Sequence, residues 1–204
     1  MNFSDTRPSL LLQIRDPENH EAWEEFAQIY RPAIIRYANL RGLQHADAED
    51  LAQSVLVSVS KAIKKWKPDS DRAKFRTWLI RITHHAVLNA LTRAKPDLGS
   101  GNTKVMELLD SIPQNESESE LLVEIRREAF RYAAKQIRSE FQPETWTAFW
   151  ESAVRGRSVA EIASHLSKNS GSVYAARSRV MHRLREKINE ISFTGNFNEN
   201  PYVE

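Results

Sequence analysis

Lys61-Ala-Ile-Lys-Lys-Trp-Lys-Pro-Asp-Ser-Asp-Arg-Ala-Lys-Phe-Arg-Thr-Trp-Leu-Ile-Arg81 is the stretch on which the reading of this chain turns, and its character continues to Lys95. Between Lys61 and Lys95 stand ten Lys or Arg residues and two acids, Asp69 and Asp71, a balance of +8. Three aromatics, Trp66, Phe75 and Trp78, are set among those cations. Cations neutralise phosphates, and flat rings offer unpaired bases a stacking surface, so the combination suits single-stranded nucleic acid. The competing reading is a solvated basic helix whose aromatics belong to a core. Lys67-Pro-Asp-Ser-Asp71 breaks the helix into a loop, and apolar spacing then predicts a second helix from about Ala73 to Thr92, ended by Pro96. Trp78, Ile82, Ala86 and Leu88 or Asn89 mark its faces, with Arg76, Arg81, His84, His85 and Asn89 as its polar groups.

Outside this stretch the charge alternates in blocks. The 204 residues sum to only +2, yet residues 1–60 carry −4, residues 96–125 carry −6 and residues 126–190 carry +6. Two basic blocks separated by an acidic connector suggest two contact surfaces for one polyanion. The chain has no cysteine, which excludes disulfides and thiolate metal sites. It has no apolar run of about 18 residues, and Met1-Asn-Phe-Ser-Asp-Thr-Arg7 lacks the build of a secretory leader. A cytoplasmic protein is expected.

Upstream, Asp16-Pro-Glu18 reads as a helix start, and Trp23, Phe26, Ala27 and Tyr30 follow at helical spacing. Pro32 predicts a kink or break near Tyr30, after which Ile34, Ile35, Ala38 and Leu40 continue the face to a stop at Gly42. Asp47 and Asp50 resemble a capping pair for the next helix. Its stripe is Ala48, Leu51, Ala52, Val55, Val59 and Ala62, with Leu56 and Val57 at the edge beside acids.

Downstream, Asp97 to Glu120 is polar and acidic, with Gly99, Gly101 and Pro113, and reads as a flexible linker that has room for one helical turn at Val105–Leu109. Leu122, Ile125, Ala129, Tyr132, Ala133 and Ile137 then space a helix, and Gln142-Pro-Glu144 opens another that carries Trp146, Phe149 and Trp150. Ser158-Val-Ala-Glu161 is a capping box for a short helix through about Leu166, with Ala160, Ile162 and Ala163 inward. After a turn at Ser167–Ser170, a last helix runs from about Gly171 to Asn189, with Val173, Ala176, Val180 and Leu184 inward. At about 100° per residue, Ser172, Ala175, Ser178, Arg179 and His182 point the other way. The pair has helix-turn-helix spacing, suited to a major groove, although capped helical hairpins are common. No alternating strand is found. The expected fold is all-α, with two small helical domains joined by an acidic flexible linker and the second ending in the helix-turn-helix. The domains are read as residues 1–95 and 121–190, the linker as 96–120 and a tail as 191–204.

Asp47-Ala-Glu-Asp-Leu-Ala-Gln53, Phe75-Arg-Thr-Trp-Leu-Ile-Arg-Ile82, the acidic linker, Gly156-Arg-Ser-Val-Ala-Glu-Ile-Ala163 and Ser172-Val-Tyr-Ala-Ala-Arg-Ser-Arg-Val180 occur in this order. Together they resemble an extracytoplasmic-function type sigma factor of the sigma-70 family over about residues 10–190. The resemblance implies a transcription initiation factor that binds core RNA polymerase, through the beta-prime clamp helices and the beta flap, together with promoter DNA. An anti-sigma factor is a further partner it allows; no membrane and no cofactor are implied. It assigns polymerase binding to Asp50, Gln53 and Leu56. Minus-ten recognition and melting fall to Lys67, Arg72, Phe75, Arg76, Trp78, Arg81 and His85. Minus-thirty-five recognition falls to Lys168, Ser170, Ser172, Tyr174, Ala175, Ser178 and Arg179. Ser54 stands where the family often has Glu, so one polar polymerase contact is not carried over; His85 stands where Asn is frequent, so base preference is not carried over.

Two other classes explain less. A repressor or activator with a helical sensor domain accounts for residues 158–187 but not for the Trp-rich basic stretch. A hydrolase needs a nucleophile, base and orienting group, and neither that grouping nor a phosphate loop is recognisable, so no enzyme is expected. His84-His85 is a poor metal pair, because adjacent helical residues diverge by about 100° and neither has a carboxylate at i+3 or i+4.

Overall fold

The computed structural model describes residues 10–64, 72–93 and 114–191, and all regular structure among them is helical. The chain divides into two compact units, Met1–Ala129 and Phe130–Glu204. Lys65 to Asp71 and the expected turn at Val105–Leu109 lie outside the described residues. No helix among the described residues is long and apolar enough to cross a membrane.

The first unit is built on α1 (Leu10–Gln13), α2 (His20–Leu40), α3 (His45–Ile63) and α4 (Arg72–Arg93). Helix α2 begins at His20, later than Asp16 suggested. The Asp16 carboxylate accepts from the Glu18 N–H at 3.0 Å, a local turn that competes with helix nucleation. Asn19 supplies the cap instead, its Oδ1 accepting from Ala22 N–H at 3.1 Å. The predicted break near Tyr30 is absent, and Pro32 sits inside one continuous helix. An interior proline costs about 3 kcal/mol, but Phe26, Ile29, Tyr30, Ala33, Ile34, Tyr37 and Ala38 are all buried around it. Each large side chain gains about 1.5–3 kcal/mol from burial, so tertiary packing wins. The helix ends as expected at Gly42, whose φ is +94°. Gly42 N–H bonds to Asn39 O at 2.9 Å and Leu43 N–H to Ala38 O at 3.1 Å, the double bond that a left-handed residue past a helix end permits. Leu43 is buried and anchors the turn.

Helix α3 packs against both α2 and α4. It starts at His45 after Gln44, which makes no side-chain cap, so Asp47 stands in the first turn rather than at the cap. Its buried stripe is Ala48, Leu51, Ala52, Val55, Val59 and Ile63. In α4 the buried positions are Leu79, Ile80, Thr83, Val87 and Leu88; of the residues that mark its faces in sequence, Leu88 is buried, Asn89 exposed, and Trp78, Ile82 and Ala86 half-buried. Buried Thr83 satisfies its hydroxyl on Leu79 O at 2.8 Å.

Helix α5 (Gln114–Ile137) begins inside the acidic stretch expected to be linker. Leu121 and Ile125 are buried. Two ion pairs fix the same segment to α2, Glu120 to Arg41 at 2.6 Å and Glu128 to Arg36 at 2.8 Å.

The second unit takes the remainder of α5, a single 3₁₀ turn at Arg138–Glu140, α6 (Pro143–Phe149), a π-helical turn at Trp150–Val154, α7 (Val159–His165) and α8 (Ser170–Ile191). Trp146 and Phe149 are buried, with ring centroids 5.5 Å apart; Trp150 stacks on Trp146 at 6.0 Å and is half-buried. Helix α8 packs on both α6 and α7.

Candidate nucleic-acid interface

On α3, Asp50 and Gln53 are exposed and Leu56 is half-exposed, while Val57 beside it is 41% exposed. Helical periodicity puts these residues on the face that the core stripe leaves free. The serines between them are occupied. Ser54 Oγ donates to Asp50 O at 3.0 Å, and Ser58 Oγ to Ser54 O at 2.9 Å. The face therefore offers a carboxylate, an amide and apolar surface rather than free hydroxyls.

On α4, Arg81 and His85 are exposed together with Asn89. Their spacing of four makes them one outward row. Trp78 is half-buried, so its indole is shared between core and surface. Arg72, Phe75 and Arg76 lie in the first two turns of α4, and Lys67 and Trp66 fall outside the described residues. His84 does not join the outward row. Its Nδ1 is 2.9 Å from the Tyr37 hydroxyl, and Tyr37 is fully buried. Arg41 lies over the Tyr37 ring, 5.2 Å from its centroid. With Leu79, Ile80, Val87 and Leu88 buried, the His84–Tyr37 bond is consistent with the rotation of α4 that turns the Arg81–His85 row outward.

In the second unit, Ser158 accepts from Glu161 N–H at 3.3 Å and caps α7 as expected. Ile162 and Ala163 are buried, but Ala160 is exposed, contrary to the expectation. The turn passes through Ser167, whose φ is +52°, with Lys168 N–H on Ala163 O at 2.9 Å. Asn169 then caps α8, its Oδ1 accepting from Ser172 N–H at 2.8 Å and from Ser172 Oγ at 3.0 Å. The inward stripe Val173, Ala176, Val180 and Leu184 is buried and continues through Ile188 and Ile191. Ser170, Ser172, Ala175, Ser178, Arg179 and His182 are exposed, and Tyr174 is 58% exposed. Lys168 is exposed and paired with Glu144 at 3.1 Å. Arg177, which the sequence reading passed over, is exposed on the same helix.

Behind this surface, Arg183 holds the 3₁₀ turn, its Nε and Nη2 donating to the two Glu140 carboxylate oxygens at 2.7 and 3.0 Å. The hydrogen bond to Arg183 holds the Glu140 carboxyl below its ordinary range, and the same bond raises the guanidinium. Glu140→Gln is expected to lower stability at neutral pH by about 0.5–1 kcal/mol, the upper range for a solvent-reached pair. A depressed folded pKa contributes stability above the unfolded value and loses it as pH falls through the folded one. Parent and variant should therefore converge in acid, as thermal unfolding across that range would show.

Two concave surfaces were not foreseen. One, of about 430 Å³, is lined by Arg131, Lys135, Arg138, Trp146 and Trp150. The other, of about 480 Å³, lies at Trp23, His20, Lys61 and Lys64. Both draw residues from separate helices, and no local motif announces them. Among the described residues no group of three or more His, Asp or Glu is placed to hold a metal.

Residues 26–96, from the second turn of α2 to just past α4, match the sigma-70 region 2 family. Most of α2, all of α3 and α4, and the Arg81–His85 row fall within the matched segment. Over 173 residues the chain is also 27% identical to the ECF RNA polymerase sigma factor SigE of Mycolicibacterium smegmatis, a match that takes in 83% of this chain and 61% of that protein. The chain is thus similar to sigma-70 region 2 over residues 26–96 and, over most of its length, to a sigma factor of the extracytoplasmic-function type, of which it spans about three fifths.

Proposed function

We propose that this chain is a non-catalytic transcription initiation factor that binds core RNA polymerase and directs it to promoters. The observation that carries the reading is one chain holding both a sigma-70 region 2 match at residues 26–96 and a capped helix-turn-helix at Ser158–Ile191 with small and cationic residues outward. A duplex reader alone needs only the second. In this reading Asp50, Gln53 and Leu56 meet the beta-prime clamp helices. Helix α4 and the basic stretch of sequence before it, with Lys67, Arg72, Phe75, Arg76, Trp78, Arg81 and His85, open and hold the minus-ten element. Helix α8 and its turn, with Lys168, Ser170, Ser172, Tyr174, Ala175, Ser178 and Arg179, read the minus-thirty-five element as duplex. Residues 96–120 connect the two functions, residues 1–95 and 121–190 carry them, and the beta flap is a second polymerase contact. An anti-sigma factor is a regulatory partner of the same reading, and the cytoplasm is its place of action.

The energetics support this division. Displacing a base from a duplex costs a few kcal/mol, and each base stacked on an aromatic returns about 1–3 kcal/mol. A few held bases with phosphate neutralisation offset local melting once polymerase keeps the parts together. The test is binding to core RNA polymerase without DNA, followed by run-off transcription from a genomic promoter library. Binding that depends on the α3 face and new promoter-specific transcripts are the expected results. Failure to associate with core enzyme at any salt concentration overturns the reading.

A further inference from the structure

The concave surface at the α2–α3 junction combines features that the assignments above leave unused. Trp23 is half-buried, held edge-on against fully buried Phe26 with ring centroids 5.8 Å apart. Part of its indole therefore remains on the surface while its position is fixed. His20 and Lys61 are exposed beside it, and Lys64 completes that side. Ser60 adds a hydroxyl, although it already donates to Val57 O at 2.8 Å. The cavity measures about 480 Å³, within the roughly 300–1,000 Å³ of pockets that take small ligands. A second hollow, lined by Arg15 and Asp16, shares Pro17 and Lys64 with it. The two hollows together set Arg15, Lys61 and Lys64 against one lining carboxylate, Asp16. That carboxylate is already engaged with the Glu18 N–H.

We infer that Trp23, His20, Lys61 and Lys64 form a pocket for one unpaired nucleotide, the base lying on the indole and the flanking phosphates meeting the lysines. A fixed aromatic face with cations at its rim is the arrangement that holds single strands without hydrogen-bond readout. A purely apolar partner would leave the lysines unpaired, and a free anion would leave the indole unused. Lys61 and Lys64 also open the basic block that runs through Lys67 to Arg81. The pocket thus lies on the chain directly before the segment assigned to the minus-ten strand. The inference rests on the promoter-opening reading and extends it. It gives the displaced strand a second foothold on the first unit, apart from α4.

The test uses the full chain bound to core RNA polymerase on a promoter it opens. Single abasic sites are walked along the displaced strand, and open-complex lifetime is measured for the parent, Trp23→Leu and Lys64→Gln. Leucine keeps apolar contact with Phe26 while removing the stacking face; an unchanged unfolding midpoint verifies this. In the parent, one abasic position is expected to shorten the lifetime about tenfold, the worth of one stacked base. Trp23→Leu should shorten it by a similar factor on intact DNA and add nothing at that abasic position. Trp78→Ala should not cancel the penalty at that position. If every abasic penalty is the same in parent and Trp23→Leu, the pocket is refuted while promoter opening stands. If Trp23→Leu and Lys64→Gln instead weaken core-polymerase binding in the absence of DNA, the surface belongs to a protein contact and the inference is wrong. If the parent opens no promoter, both the inference and the reading beneath it fall.

Discussion

Arg179→Glu is expected to weaken binding to the minus-thirty-five duplex by about ten- to hundredfold while leaving core-polymerase affinity near that of the parent. Arg179 is exposed on α8, next to the buried Val180 that seats the helix. A groove-facing arginine is worth about 1–3 kcal/mol, and reversal adds repulsion from the phosphates. The substitution removes no core contact, so folding should be unaffected. Footprinting of the upstream element at several salt concentrations measures the effect. If Arg179 meets phosphate, affinity falls alike on all sequences and the salt slope drops by about one unit; if it meets a base edge, preference at one base pair relaxes. An unchanged footprint removes Arg179 from the interface.

Trp78→Ala should reduce stable promoter opening by about ten- to hundredfold, the range expected when one stacked base loses its aromatic partner. The half-buried position of Trp78 means that truncation also disturbs packing on α4. Trp78→Phe separates the two effects, because it keeps a ring for stacking and most of the apolar volume. Chemical probing of unpaired thymines in the minus-ten element, with unfolding midpoints for both variants, is the measurement. A folded Trp78→Ala protein with undiminished opening would remove Trp78 from the stacking surface.

Much of this architecture was legible in the residues. Val173, Ala176, Val180 and Leu184 repeat with helical periodicity and are separated by polar residues, so only one face of α8 can be buried. Gly42 and the Ser158 cap act within a few residues of themselves and were equally plain. Pro32 misled because a local penalty was weighed without the surrounding core of Phe26, Ile29, Tyr30 and Ile34. Helix α4 misled in another way. Trp78, Leu79, Ile80 and Ile82 crowd apolar groups around the helix, so its pattern alone does not select the buried side. Packing against α3, together with the long-range bond from Tyr37 to His84, accompanies that choice, and no local window of sequence contains these partners. The start of α5 was hidden for a related reason. Its acids resemble a solvated linker until Arg41 is seen to meet Glu120.

The pairing of Lys168 with Glu144 reaches beyond local geometry. On the proposed reading, a phosphate arriving at the turn would meet an ammonium already attended by a carboxylate of α6, so engagement would be an exchange of anions rather than the capture of a bare charge. Fewer small ions are liberated than the count of lysines and arginines would suggest. On the proposed reading the displaced carboxylate would remain near the duplex and oppose its phosphates. Removing Glu144 would then strengthen binding to any duplex while steepening its dependence on salt.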